Sequence, residues 1–239
     1  MIGTRTAAAA RTAGAALLAG ALGMTLGLSA GTAHATPDPP RGEGTLYGDP
    51  AAAAPFWRYQ GYDDDCVEMA VADVVGELTG HLPSEQAIIT VAQSTPSTVH
   101  SGPSYTKPKK RRPGSGTSFD DEPALLAHFG VHAVTTDNQS TAKTGLPTGM
   151  KALEQDLAKG HKVIVGVNSE VIWREPVEDK TPDGQPEANH AVVVTGVDTA
   201  AGVVHLNDSG REEGRDERVP IDVFARSWDS SDDQMTVTS

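Results

Sequence analysis

The feature that most narrows what this chain can fold into is a change in the spacing of its apolar residues near Lys162. Before it they recur at helical intervals. Val67, Ala70, Val71, Val74, Val75 and Leu78 predict a helix that opens at Cys66 and stops at Gly80. A second helix is expected from Ser84 through Ile88, Ile89 and Val91, a third over Asp121 to Phe129, and a fourth capped by Thr148 and reaching Lys159. One strand, Val131 to Thr136, interrupts them. From Lys162 the apolar residues come in short runs that suit strands: Lys162 to Asn168, His190 to Val197, Val203 to Asn207 and Gln234 to Val237, with one surface helix over Pro220 to Trp228. Helices first and sheet mostly later predicts an α+β fold with the helical half packed on a C-terminal antiparallel sheet.

The first residues stand outside that fold. Arg5 and Arg11 precede an apolar, small-residue run, and Ala33-His34-Ala35 supplies a small-x-small cleavage pattern. Residues 1–35 therefore read as a secretory signal cut after Ala35, and the mature chain is expected to be secreted. A membrane anchor is the competing reading. The run is short and is followed by Thr36-Pro37-Asp38-Pro39-Pro40 rather than a basic stop-transfer cluster, so no stable membrane insertion is expected after cleavage. Residues 36–55, rich in Pro, Gly and Ala, are expected to be a flexible lead-in, and residues 56–239 one domain. Losing Arg5 and Arg11 takes the formal net charge from −13 to −15, which argues against nucleic acid as a partner. The basic run Lys107 to Arg112 departs from this. It lies in a long loop, Thr95 to Ser118, read as a solvated excursion or as a contact for an anionic cell-wall polymer.

The chain has a single cysteine, so no internal disulfide can form. A lone Cys in an oxidising compartment is either a small buried hydrophobe or a thiol retained for its reactivity. Cys66 opens a helix, where unpaired N–H groups favour an anionic sulfur. Asp63, Asp64 and Asp65 just before it are read as caps; no metal and no cofactor are expected. Of eight histidines, His190 and His205 flank one hairpin. If Val197 faces Val203 across the turn, His190 lies opposite Gly210 with Asp208 as diagonal neighbour on the same face, and His205 and Asn207 point to the other face. A one-residue slip reverses this, so Asn207 and His205 stay open as alternatives to Asp208. In the first register Asp208 can orient His190 as the base for Cys66. Gln60, six residues before Cys66, can add its amide to the Cys66 N–H in holding an oxyanion.

Gln60, Cys66 at a helix start, then His190-Ala191-Val192-Val193-Val194 and Val203-Val204-His205-Leu206-Asn207-Asp208 resemble the papain-like cysteine peptidases, and among them the bacteriocin-leader-peptidase-like group, peptidase family C thirty-nine-like. The resemblance spans Trp57 to Ser239. It implies the papain-like fold and amide hydrolysis through a thioester acyl-enzyme, with Cys66 as nucleophile, His190 as base, Asp208 as its orienter and Gln60 at the oxyanion. It implies a peptide or protein substrate; a cell-wall stem peptide is the alternative, in which His205 would be the third member. A secreted binding domain without catalysis is a further alternative. The sequence departs from the family pattern after the nucleophile, where Val67-Glu68-Met69-Ala70 stands and Glu68 is expected to face water, and after Asp208, which is followed by Ser209-Gly210 where many relatives have Asp-Pro.

Overall fold

The computed structural model describes residues 44–109 and 114–239. The expected signal over 1–35, the start of the lead-in and Lys110, Arg111 and Arg112 of the basic run lie outside them.

The helices are α1 (Pro50–Ala53), α2 (Cys66–Thr79), α3 (Glu85–Ser94), α4 (Glu122–His128), α5 (Thr141–Thr144), α6 (Met150–Ala158), α7 (Ser169–Trp173) and α8 (Ile221–Trp228). The strands are β1 (Leu46–Gly48), β2 (Ala133–Thr136), β3 (Val163–Val167), β4 (His190–Asp198), β5 (Val203–Asn207), β6 (Glu217–Pro220) and β7 (Met235–Thr238). They form one antiparallel sheet in the order β2-β7-β3-β4-β5-β6, with β1 beside β4. The fold is α+β, as the pattern change predicts, with the antiparallel sheet that the papain-like resemblance implies.

Both faces of the sheet are covered. Ile164, Ala191 and Val193 pack against α2, α3 and α4. Val163, Val165, Val192, Val194, Val204 and Leu206 pack against α6 and α8 on the other side. Strand β4 is buried along almost its whole length because helices lie above and below it. In α8, Phe224 and Trp228 are the buried anchors, each contributing about 1.5–3 kcal/mol by leaving water.

Helix α2 is the central element: every residue from Val67 to Gly76 is buried. A helix surrounded in this way is held by contacts on all sides. Gly80, at φ +73°, ends it in the left-handed region that glycine adopts without strain. Its last turn is fixed by an ion pair from Lys162 Nζ to Glu77 Oε2 at 2.7 Å, and its middle by Asn207 Nδ2 donating to Asp73 Oδ2 at 2.9 Å. The helix that presents Cys66 is thereby tied to β5 and to the residue before β3.

Several expectations need correction. The lead-in expected to be flexible over 36–55 is ordered from residue 44: β1 pairs with β4, Leu46 opposite Asp198, and α1 follows with Asp49 capping Ala52 N at 3.0 Å. Thr148 does not cap α6. The helix starts from Gly149, and the Thr148 hydroxyl donates to the Asp233 carbonyl instead. The described residues of the loop, 95–109 and 114–118, are irregular and mostly exposed, as expected, but the loop is anchored at three buried residues, Ser104, Tyr105 and Thr117. Tyr105 is fully buried and its hydroxyl donates to Asp64 Oδ1 at 2.8 Å, while Thr117 donates to Glu68. Two isolated bridges, Pro96 with Pro103 and Thr106 with Ser115, staple the loop to itself.

The β4–β5 hairpin decides the site. Next to the turn Asp198 faces Val203 and Val197 faces Val204, one residue away from the expected register. The register then shifts between Val194 and Gly196, so that Val194 faces Leu206 and Val193 faces Asn207. A bulge absorbs one residue and re-aims the side chains beyond it. At the far end the pairing is the expected one, and His190 and Asp208 share a face.

Candidate active site

Cys66 is the first residue of α2 and is partly exposed. His190 opens β4 and is 5 % exposed; Asp208 follows β5 directly and is fully buried. His190 Nε2 lies 2.6 Å from Asp208 Oδ1. The carboxyl of Asp208 is held below the usual carboxylate range: burial opposes this, but the charge and hydrogen bond of His190, then Trp173 and the Gly210 N–H, overcome it. An ionised Asp208 only accepts, so Nε2 carries the proton and donates. Nδ1 is left for the sulfur. Burial alone would lower the affinity of His190 for a proton, but Asp208 and then Cys66 outweigh it and push its pKa up to about 10.

Asp208 has four further fixings. Trp173 Nε1 donates to its Oδ2 at 2.9 Å, and the Gly210 N–H to its Oδ1 at 2.7 Å. Trp57 Nε1 donates to its carbonyl at 2.6 Å, and its own N–H is taken by Gly214 O at 2.8 Å. The Trp173 ring also meets the His190 ring edge-on at 5.5 Å between centroids, so one side chain orients both partners. A Cβ on Gly210 would come within 2.8 Å of Trp173 and 3.0 Å of His190, so only glycine leaves that ring in place. Neither tryptophan is evident from sequence, since each reaches Asp208 across a long stretch of chain; the signal was the pair of tryptophans themselves in a chain poor in aromatics.

Two other candidates are excluded as partners of His190. His205 Nδ1 sits 2.6 Å from Asp216 Oδ1, and Asn207 donates to Asp73 and to the Ala53 carbonyl. Gln60 is close to the site but engaged: Nε2 donates to Tyr62 O at 2.8 Å, and Oε1 accepts from Ser209 Oγ at 2.9 Å. One amide hydrogen remains for an oxyanion. Gln60 and His190 line a cavity of about 620 Å³, and Cys66 lines a neighbouring one of about 440 Å³. Asp63 and Asn189 line both, so the two cavities meet beside the Cys66–His190 pair.

Residues 50–236 match the Peptidase_C39 like family. The chain belongs to that family. Two relatives, uncharacterized proteins of Mycobacterium tuberculosis and Mycobacterium bovis, are each 53% identical over 242 residues, covering 100% of this chain and of theirs. The crystal structure of a C39-like peptidase from Bacillus anthracis superposes with a TM-score of 0.52 at 14% identity, covering 82% of this chain and 98% of that one, a likeness of fold. Family and fold place the chain among cysteine peptidases.

Around Cys66 of this C39-like chain the acids do not behave as sequence suggests. None of Asp63, Asp64 and Asp65 caps α2 through its side chain, because Tyr105 takes Asp64 and Asp65 is buried beside Glu85. Glu68 does not face water; it is buried under Thr117. Burial pushes Glu68 up to about 7, and burial with the neighbouring Glu85 and Glu68 charges pushes Asp65 up to about 8. Burial likewise takes Glu122 to about 8. A carboxyl whose folded pKa is raised binds more protons folded than unfolded between the two values, so its contribution is complete below about pH 4 and is lost as pH rises through about 7 to 8. The His190 contribution falls from about pH 6.5 toward pH 10, in the same direction, and that of Asp208 is lost only in acid, so neither opposes the trend in this window. The expected outcome is a Tm lower by roughly 5–10 °C at pH 8 than at pH 5. Thermal unfolding followed by circular dichroism checks it, and Glu122→Gln is expected to flatten the slope.

Proposed function

We propose that the chain is a secreted peptidase that cleaves amide bonds through a thioester on Cys66, with His190 and Asp208 completing a triad. Export rests on the pattern of residues 1–35, with residues 36–239 as the mature chain. The single observation that carries the catalytic reading is His190 held at 2.6 Å by the buried Asp208 while its other nitrogen is left for the sulfur at the start of α2.

With a pKa near 10, His190 holds a proton at neutral pH. The reacting form in this reading is the thiolate–imidazolium pair of Cys66 and His190. The thiolate attacks the carbonyl carbon of a bound peptide. The oxyanion is received by the Cys66 N–H and by the remaining amide hydrogen of Gln60. His190 gives its proton to the departing amine, leaving a thioester. Water, surrendering a proton to His190, then releases the acid and restores the sulfur. Trp173, Trp57 and Gly210 act through Asp208 as positioning residues. A peptide or protein is the substrate; the hydrogen bond of His205 with Asp216 disfavours a Cys-His-His arrangement of the stem-peptide kind.

Because Cys66 is the only thiol, the reading has a clean test. Hydrolysis of a defined peptide mixture, read by mass spectrometry, is expected to stop in proportion to alkylation of Cys66 by iodoacetamide. Hydrolysis that survives complete alkylation would contradict the reading.

A further inference from the structure

The cavity on the His190 side combines three aromatic rings with two carboxylates. Tyr59, Tyr62 and Trp173 line it, together with Asp63 and Asp179. Tyr59 is 48 % exposed, far more than a ring with a packing role needs. The Asp63 carboxylate makes no hydrogen bond or ion pair to another described residue, and the Asp179 carboxylate accepts, among the described residues, only from Asn189 Nδ2, through Oδ2 at 2.6 Å. Among the described residues that line this cavity there is no lysine or arginine. The one cationic group there, the His190 ring, is matched by Asp208 behind it. Carboxylates without a basic partner among the described residues, beside the exposed Tyr59 and the partly buried Tyr62 and Trp173, form a setting in which ammonium and guanidinium groups gain both charge pairing and cation–π attraction. The Tyr62 ring already takes one such group from this chain, since Lys107 Nζ, which does not line the cavity, lies 4.1 Å from its centre.

We infer that this cavity takes the basic side chain of a lysine- or arginine-bearing peptide, next to the bond presented to Cys66. The inference rests on the peptidase reading and names its substrate class. At about 620 Å³ the cavity accommodates an extended lysine or arginine side chain with room for neighbouring backbone. Asp63, which lines this cavity and the one containing Cys66, is the specificity-determining residue, since it can reach a cation from either side of the reacting pair.

Binding to the full chain carrying Cys66→Ala tests this without depending on turnover. The probes are short fluorescein-labelled peptides, identical except for one central residue: Lys, Arg, citrulline, norleucine or Glu. Fluorescence anisotropy is expected to show Lys and Arg peptides binding about tenfold tighter than the citrulline and norleucine peptides, with the Glu peptide weakest. Added Asp63→Asn is expected to shrink that ratio to about threefold, and raising NaCl tenfold is expected to shrink it in the unsubstituted cavity too. Equal binding of Lys and norleucine peptides, preference for Glu, or no binding of any peptide overturns the inference. If the Lys peptide binds selectively but the chain with Cys66 intact never cleaves it, the peptidase reading fails while the cationic site stands.

Discussion

Replacing Cys66 with Ala is expected to reduce peptide hydrolysis by about 10⁴-fold or more, to the uncatalysed background, while Tm changes by no more than a few degrees. The two halves of this expectation come from different parts of the structure. Cys66 is the only thiol in the chain, and the proposed route runs entirely through its sulfur. Yet Cys66 is only partly buried and lies at the edge of the apolar cluster on its face of the sheet, so trimming it to a methyl opens little empty volume. Loss of turnover together with a large fall in Tm would instead mark Cys66 as a packing residue. Retained turnover would exclude the thioester route.

Asp208→Ala is expected to lower kcat/KM by about 10²- to 10⁴-fold and also to destabilise the chain by about 2–4 kcal/mol. The reason lies in how many groups converge on one carboxylate. His190, Trp173 and the Gly210 N–H all lose their acceptor at once, in a place closed to water. The lost ion pair also removes the charge that keeps His190 protonated, so the pH profile of the residual activity is expected to move to lower pH. His205→Ala is the matched control. Its imidazole pairs with Asp216 and not with the reacting groups, so kcat/KM is expected to change by less than about threefold. Steady-state kinetics on both variants, with Tm measured alongside, separates the two positions; a larger loss from His205→Ala than from Asp208→Ala would reassign the third member.

The residues differ in how far sequence reveals them, and the differences are physical. Helix α2 is legible because ten buried residues in a row enforce a clear apolar pattern. The adjacency of His190 and Asp208 is legible for a less secure reason: the expected pairing is wrong at the turn and right at the far end. The bulge that reconciles them had one signal, Gly196 in the middle of a strand, where a glycine often marks such a break. Strand β1 escapes because its three residues gain their structure wholly from pairing with β4, some 150 residues on. Trp57 and Trp173 escape for the same reason, since their role exists only after the ends of β4 and β5 are assembled. Glu68 misleads because it lies off the apolar stripe of its own helix, yet the loop through Tyr105 and Thr117 returns to bury it. Tertiary contacts also override local rules at Asp64, which Tyr105 takes before it can cap α2.

The most direct measurement of the central claim is the rate of Cys66 alkylation by iodoacetamide as a function of pH, in the full chain and in its His190→Ala variant. The geometry predicts rapid labelling at pH 6 in the unsubstituted chain, because an imidazolium held by Asp208 stabilises the sulfur anion, and labelling at least tenfold slower in the variant. Equal rates in the two proteins, or slow labelling in both until alkaline pH, would mean that His190 does not act on Cys66, and would contradict the account.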